Sequence, residues 1–520
     1  MRQLILLALL ASSALGQRFY PDDPLEKEPA PLTIHAAVAR KLSDYYDFFT
    51  HQFGKPGEHQ PKEGQPIPAQ DVNTLGEPMD GAWYTKRHYY RRMSIQELKQ
   101  GPGHAPPPAG STWRVVGAKD EGITPGFTIA DGERRQYFLK FDPVSQAEMA
   151  TSAEVISSRF FHALGYHVPD NYIVYFRPEE LSVDGQAEIT GENGKRRKLT
   201  VRDVENILAR APRLKDGRYR ATASAVIEGQ PLGPPRYYGV RKDDPNDVVP
   251  HEHRRDLRGL HVFAAWLGHD DSRAINNFEA LVEDGAGRYI RHYLLDLGST
   301  LGSGTQRANS PRSGAYLFSW KSAAVQLVTL GLDPPYWARA KFREFPSVGL
   351  IEGDAFDPER WVPEYPNPAF LNRLPDDEFW AAKQVMAFTE DDIRAVVSTG
   401  EISDQAAAAY LVDCLIKRRD KIGKAYFAKV LPFDRFRIED GALAWDDLSK
   451  SLTDTRVQWF RFDNETGKRT PAQGMPDEGY GVAEITAAPR PKQSILVYTQ
   501  TVNGKTRVVG VARTWGDETS

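Results

Sequence analysis

The 520-residue chain carries 66 basic and 70 acidic side chains, net −4; without a global basic field, binding of nucleic acid across the whole surface is excluded. Hydrophobic residues make up 40% and glycine contributes 42 positions, a soluble globular composition that argues against wholesale disorder and against a polytopic membrane protein. The length predicts three or four domain-sized units.

The first element is an export signal, because Arg2 precedes the apolar run LILLALLASSAL and Ala14-Leu15-Gly16 offers a small-x-small cleavage pattern before Gln17. Residues 1–16 are therefore set apart from the fold. They predict a periplasmic, extracellular or secretory-lumen location, with no membrane span in the mature chain. The single cysteine, Cys414, rules out an intrachain disulfide, and its apolar helical surroundings predict a buried thiol.

Residues 17–110 read as an N-terminal extension, with a helical pattern over LTIHAAVARKLSDYYDFF and a Pro/Gly linker, GPGHAPPPAG, at its end. From Thr112 the hydrophobic period becomes two. TWRVVGAK, FTIAD and RRQYFLKFD predict three antiparallel strands, joined by the loop DEGITPG and by an Asp131-Gly132 hairpin signal. A helix follows, with Ser145 and Glu148 spaced as a capping box and Met149, Ala153, Ile156, Phe160 and Leu164 on one face. Another strand, NYIVYF, a basic helical excursion and ATASAVIEG complete a strand-rich segment over 111–248.

Residues 249–430 are mainly helical, interrupted by one hairpin, NFEALVEDGAGRYIRHYLLD. HEHRRDLRG reads as a polar helix entry, since its histidines lack a complete zinc spacing. Thr389-Glu390-Asp391-Asp392 caps one helix, and SDQAAAAYLVDCLIKRRDKIGKAYFAKV forms a long one. Residues 431–520 return to strands and predict a β-sandwich-like module. All twelve histidines lie at or before His292, so that module hosts no histidine chemistry.

The sharpest chemical signal is His269-Asp270-Asp271-Ser272-Arg273-Ala274-Ile275-Asn276, followed twenty residues later by Asp296-Leu297-Gly298. The intervening hairpin, in a symmetric register with residue numbers summing to 572, pairs Asn276 with Asp296. Two oxygen ligands then share its open end, as Mg²⁺ bridging nucleotide phosphates requires. Upstream, Lys140 stands inside the apolar strand YFLKFD and needs a carboxylate partner if buried. Glu154 and Glu148 compete on the next helix, about 240° apart, and Glu154 is preferred because the capping box occupies Glu148. Lys140→Met is expected to be nearly neutral for stability without nucleotide.

These motifs resemble the catalytic loop H-x-D-x-K-x-x-N and the D-F-G of the protein-kinase-like superfamily. The resemblance covers roughly residues 112–430 and is nearer to the atypical HipA-type, CotH-type and secretory-pathway kinases. It implies an α+β fold with a two-lobed kinase-like core, flanked by the N-terminal extension and the all-β module. Asp271 would orient or deprotonate the attacking hydroxyl, and Arg273 would meet the transferred phosphoryl group. Asn276 and Asp296 would hold Mg²⁺, Lys140 and Glu154 would engage ATP or another nucleoside triphosphate, and Gly122 and Gly126 of DEGITPG would approach its phosphates. Asp270 replaces the usual Arg, no A-P-E segment follows Gly298, and hydroxyls in GSTLGSGT are either phosphate ligands or part of a flexible loop. The implied partners are a nucleotide and a hydroxyl acceptor of unread identity. The implied function is phosphoryl transfer, the alternative being a catalytically silent fold used for binding or surface structure.

Overall fold

The computed structural model describes residues 18–62, 65–103, 105–119, 126–190, 195–319, 328 and 336–515. The expected signal segment 1–16 and Gly122 lie outside them.

The alternating apolar positions from Trp113 onward form strands β1 (Trp113–Lys119), β2 (Gly126–Ala130) and β3 (Gln136–Lys140), antiparallel as their pattern predicts. The helix α3 (Met149–Ala163) then leads to β4 (Asn171–Phe176), β5 (Leu181–Thr190), β6 (Arg196–Lys198) and β7 (Tyr219–Ala225). Before it in the chain come α1 (Asp44–Phe49) and α2 (Ile95–Gln100), and α4 (Val201–Leu208) lies between β6 and β7. The sheet order is β4-β7-β3-β2-β1-β5-β6. Only the β1–β5 pair among the described ladders of this sheet is parallel. Its core holds Trp113, Ile129, Leu139, Phe176 and Ile207.

Helix α3 is buried almost all round because it sits between this sheet and a second, larger core. There Phe160 meets Trp266 and Phe388 edge-on, with ring centroids 4.8 and 5.4 Å apart. That core is built from α5 (Arg255–Leu267), α6 (Pro368–Leu371), α7 (Pro375–Met386), α8 (Glu390–Ser398) and α9 (Gln405–Lys429). β8 (Gln230–Gly233), β9 (Asn277–Asp284) and β10 (Gly287–Leu294) form a small antiparallel sheet beside them. Cys414 is buried there, its thiol pushed up to about 11 by burial. The α+β class is thus present: a strand-rich part precedes a mainly helical one, with α3 packed between them.

Beyond α9 the chain is all strand. A hairpin, β11 (Phe433–Glu439) with β12 (Ala442–Asp447), faces a five-stranded antiparallel sheet of β13 (Thr455–Phe462), β14 (Arg469–Ala472), β15 (Gly479–Ala487), β16 (Ser494–Val502) and β17 (Lys505–Thr514). Phe433, Ile485, Ile495 and Val497 share one core, with Trp445 of the hairpin packed against it. No described helix is long and apolar enough to cross a membrane.

Several local expectations change. Of the helical pattern expected over 32–49 only α1 forms, because residues 18–43 lie extended along other elements: Ile34 N–H donates to Arg288 O and Arg40 N–H to Leu232 O. The Ser145–Glu148 capping box does not form. Glu148 adopts a left-handed φ of 74° outside the helix, its carboxylate accepts from Ser403, and Asp142 accepts the Thr151 N–H of the first turn instead. The basic excursion is the short strand β6 followed by α4, capped by Thr200 and Asp203. HEHRRDLRG is buried rather than solvated: Arg255 pairs with Asp376 and Asp377, Arg258 with Asp377, and Asp71 of the extension accepts the Arg255 N–H. Lys383 likewise bonds Glu77 of the extension and Asp434 of the β-module. Removing one partner of such a buried pair costs about 3–5 kcal/mol, so these pairs hold the flanking segments to the core.

Burial holds three histidines neutral, pushing His88 to about 4, His167 to about 3 and His269 to about 4. Between the unfolded value near 6.5 and these depressed values, only the unfolded chain takes up the protons. Their contribution to stability is therefore full above about pH 6.5 and is lost as pH falls toward 4, while carboxylates raised by burial, Glu364 to about 7 and Asp270 to about 6, contribute in the opposite sense over the same range. Imidazole NMR resonances of these three histidines should keep their neutral-form shifts down to about pH 5; protonation near pH 6.5 would contradict the buried neutral state.

Candidate functional site

Strand alternation sends Tyr137 and Leu139 into the sheet core and leaves Lys140 half-buried at the strand end. Its ammonium lies 3.2 Å from Glu154 Oε2 and 3.2 Å from Asp296 Oδ1. The partner is therefore Glu154, from the middle of α3, not Glu148. Both carboxylates raise the Lys140 pKa against the opposing effect of burial. Glu154 is only 3% exposed; burial raises its pKa, while Lys140 and the Gly298 N–H oppose that shift. Asp296 is drawn down chiefly by Lys140 and keeps a 47% exposed side chain.

Gly298 explains how Glu154 comes so near the Asp296 turn. A Cβ at that position would stand 2.9 Å from Glu154 Oε2. The turn Leu297–Ser299 is tied to α3 by the Thr300 hydroxyl, which bonds Leu297 O and Ser157 Oγ. Ser299, Thr300 and Ser303 are buried, so GSTLGSGT is a packed connection rather than a flexible loop. Gly298→Ala should push Glu154 off Lys140 and leave a buried carboxylate unpaired, lowering stability by about 1–3 kcal/mol. Thermal melts read this; an unchanged melting temperature would show that the close approach of Glu154 is not required.

The hairpin of β9 and β10 turns at Gly285-Ala286, but its register sums to 571, pairing Asn277 with Leu294. Asn276 consequently faces Leu295, whose N–H it accepts at 3.0 Å, and Asp296 follows one residue later. The predicted Asn276–Asp296 pair is thus displaced by one position, because the turn is a tight two-residue one. Both residues still stand at the open end. Asn276 donates its amide N–H to Asp271 O at 2.8 Å, which leaves its amide oxygen as an acceptor. Among the described residues no group of three or more His, Cys, Asp or Glu side chains could hold a metal ion. One carboxylate and one amide oxygen nevertheless fit Mg²⁺ brought by nucleotide phosphates, which itself supplies the remaining oxygen ligands.

On the other side of Asn276, Asp271 is paired with the Arg273 guanidinium. Arg273 Nη1 also bonds Asp44 Oδ1 of α1 at 2.6 Å, and Glu364 Oε2 lies 4.0 Å from its Nε. Three carboxylates therefore surround one cation. Burial, followed by Asp271, lifts Glu364 to about 7, with Arg273 opposing. Asp270, pushed up to about 6 chiefly by burial, accepts from Asn309 and so has a structural use where kinases carry Arg. Asp44 and Glu364 carry no signal in the sequence, since they come from segments 229 and 91 residues away from Arg273 that only the fold brings there.

Of the loop DEGITPG only Gly126 is described. It pairs with Lys140 across β2–β3, and a Cβ there would lie 2.3 Å from Leu139 O. This glycine is required by strand contact, whatever it also offers a phosphate. A groove of about 1050 Å³ lies between α9 and the β-module, lined by Lys421, Lys424, Arg490, Lys492 and Trp515, away from Lys140. Lys421 and Arg490 there already bond main-chain carbonyls.

No known protein family matches the chain, and no curated relative does. Among solved structures it is similar to the one described as the crystal structure of a Helicobacter pylori proinflammatory kinase CtkA, with 12% identity, 59% of this chain and 93% of that chain covered, and a TM-score of 0.31.

Proposed function

We propose that the chain is an exported phosphotransferase of the protein-kinase-like kind, in its atypical branch, moving the terminal phosphoryl group of ATP or another nucleoside triphosphate to a hydroxyl. The observation that carries this reading is Lys140 set between Glu154 and Asp296, with Asp271 and Asn276 at the neighbouring end of the β9–β10 hairpin. A lysine held by a helix carboxylate and aimed at a metal-binding aspartate is what nucleotide phosphates require.

In this reading Lys140 binds phosphate oxygens and Glu154 keeps it aimed. Asn276 and Asp296 would hold Mg²⁺, which when bound neutralises charge on the phosphates. Asp271 accepts the hydroxyl proton as the acceptor oxygen bonds to phosphorus and the bond to the bridging oxygen breaks. Arg273, beside Asp271, offers its guanidinium to the transferred group. The apolar run near Arg2 supports export.

The test is thermal stabilisation of the mature chain by nucleotide with and without Mg²⁺, followed by transfer of labelled γ-phosphate. Stabilisation by Mg²⁺-nucleotide and transfer are expected. Stabilisation without transfer to any acceptor or to solvent would favour the silent binding protein, and no stabilisation at millimolar nucleotide would overturn the reading.

A further inference from the structure

The chain preceding the catalytic-type loop places an unusual surface beside it. Helix α1 and the turn after it are amphipathic in the inverted sense. The side of Asp47 and His51 faces inward, where Tyr365 donates to Asp47 at 2.7 Å and His51 pairs with Asp47, while Asp44 bonds Arg273 at the exposed rim. The aromatic side faces out, with Tyr45 68%, Tyr46 72%, Phe49 42% and Phe53 55% exposed.

Tyr45, Phe49 and Phe53 recur every four residues, so one helical face carries them. Their rings form a continuous ladder, centroids 4.7 Å apart for Tyr45–Phe49 and 5.6 Å for Phe49–Phe53, continuing to Phe318 at 6.1 Å. Four large aromatics held outward by buried polar contacts are an apolar surface with a use, since folding alone would turn them inward. At the Asp44 end the ladder meets three carboxylates, Asp44, Asp271 and Glu364, gathered around Arg273. That end carries excess negative charge. Exposed aromatic faces also attract guanidinium and ammonium groups.

We propose that the ladder of Tyr45, Tyr46, Phe49 and Phe53 is the docking surface for the hydroxyl acceptor, and that the acceptor is a basic polypeptide segment. The carboxylate end supplies the charge complementarity, and the bond from Asp44 to Arg273 makes the surface continuous with the candidate catalytic loop. The acceptor's arginine or lysine side chains lie over the rings and toward Asp44 and Glu364, which brings a nearby serine or threonine hydroxyl to Asp271. This inference deepens the phosphotransferase reading and rests on it for the acceptor role, while the surface itself is tested by binding alone.

The experiment uses the full mature chain and a fluorescein-labelled peptide of alternating arginine and leucine with one central serine, read by anisotropy without nucleotide. The expected result is saturable binding, weakened at least about tenfold by Tyr45→Ala/Phe49→Ala and by Asp44→Ala, with the glutamate-for-arginine peptide not bound. Melting curves of the variants within a few degrees of wild type are expected, these side chains being exposed. Equal binding of the acidic peptide, peptide binding unaltered in both variants, displacement of the peptide by a neutral cello-oligosaccharide, or a dimer that Tyr45→Ala/Phe49→Ala dissolves would each overturn the proposal. Nucleotide titration of the same proteins separates the two ideas: peptide bound without nucleotide binding sinks the phosphotransferase reading alone, and nucleotide bound without peptide sinks the docking surface alone.

Discussion

Asp296→Asn is expected to lower phosphoryl transfer about a thousandfold or more while leaving the melting temperature within a few degrees. Asp296 sits at a left-handed φ of 54°, a conformation that asparagine accepts readily. Its side chain is half exposed, so loss of the charge creates no buried defect, and Lys140 keeps Glu154 as a partner. What disappears is the anionic ligand proposed for Mg²⁺. Asp271→Asn should act similarly, because Arg273 retains Asp44 and Glu364 nearby while the proposed proton acceptor is lost. Labelled phosphate transfer and calorimetry on both variants decide this: activity retained together with a melting temperature lowered by many degrees would assign these aspartates to structure alone.

Lys140→Met should raise the nucleotide dissociation constant about tenfold to a hundredfold, the equivalent of a charge-assisted contact of about 1.5–3 kcal/mol. Near-neutral stability, the expectation from the strand pattern, does not survive the geometry. Removing the ammonium leaves Glu154, 3% exposed, as an unpaired carboxylate facing Asp296, at a cost of up to about 3 kcal/mol. The sign of the pH dependence follows. Glu154 already has a raised pKa in the fold, and without Lys140 it rises further, so the folded variant binds a proton more tightly than the unfolded chain. The stability deficit should be large at pH 8 and shrink as pH falls toward 5. Glu154→Gln should change binding less and turnover more, since the lysine remains but is no longer held by charge. The double variant Lys140→Met/Glu154→Gln should recover much of the lost stability. Strictly additive effects in that cycle would mean that the two side chains do not couple.

Local patterning was sufficient for much of the scaffold. Period-two stretches became β1, β2, β3, β4 and β7, the long helical pattern at 403–430 became α9, and Thr389 capped α8 with Asp392 as its spacing predicts. These succeed because strand alternation and capping are decided within a few residues. The same rules failed where another partner competed: Asp142, three residues upstream, displaced Ser145 at the start of α3, Ser403, 255 residues away, captured Glu148, and the extension was drawn out along other elements instead of coiling.

The site divides in the same way. Lys140, Asp271, Asn276 and Asp296 could be named from the sequence because the type and spacing of side chains along one loop and one hairpin are local properties. A hairpin register depends on which two residues make the turn, and a one-residue difference moved Asn276 from Asp296 to Leu295. The sequence already prefers Glu154 over Glu148, though by a capping box that does not form; the need for Gly298 beside it and the closing of Asp44 and Glu364 on Arg273 were decided only by tertiary structure. Each depends on the approach of segments 91 to 229 residues apart in sequence, and such contacts are set by how buried faces pack, which no short window of sequence contains.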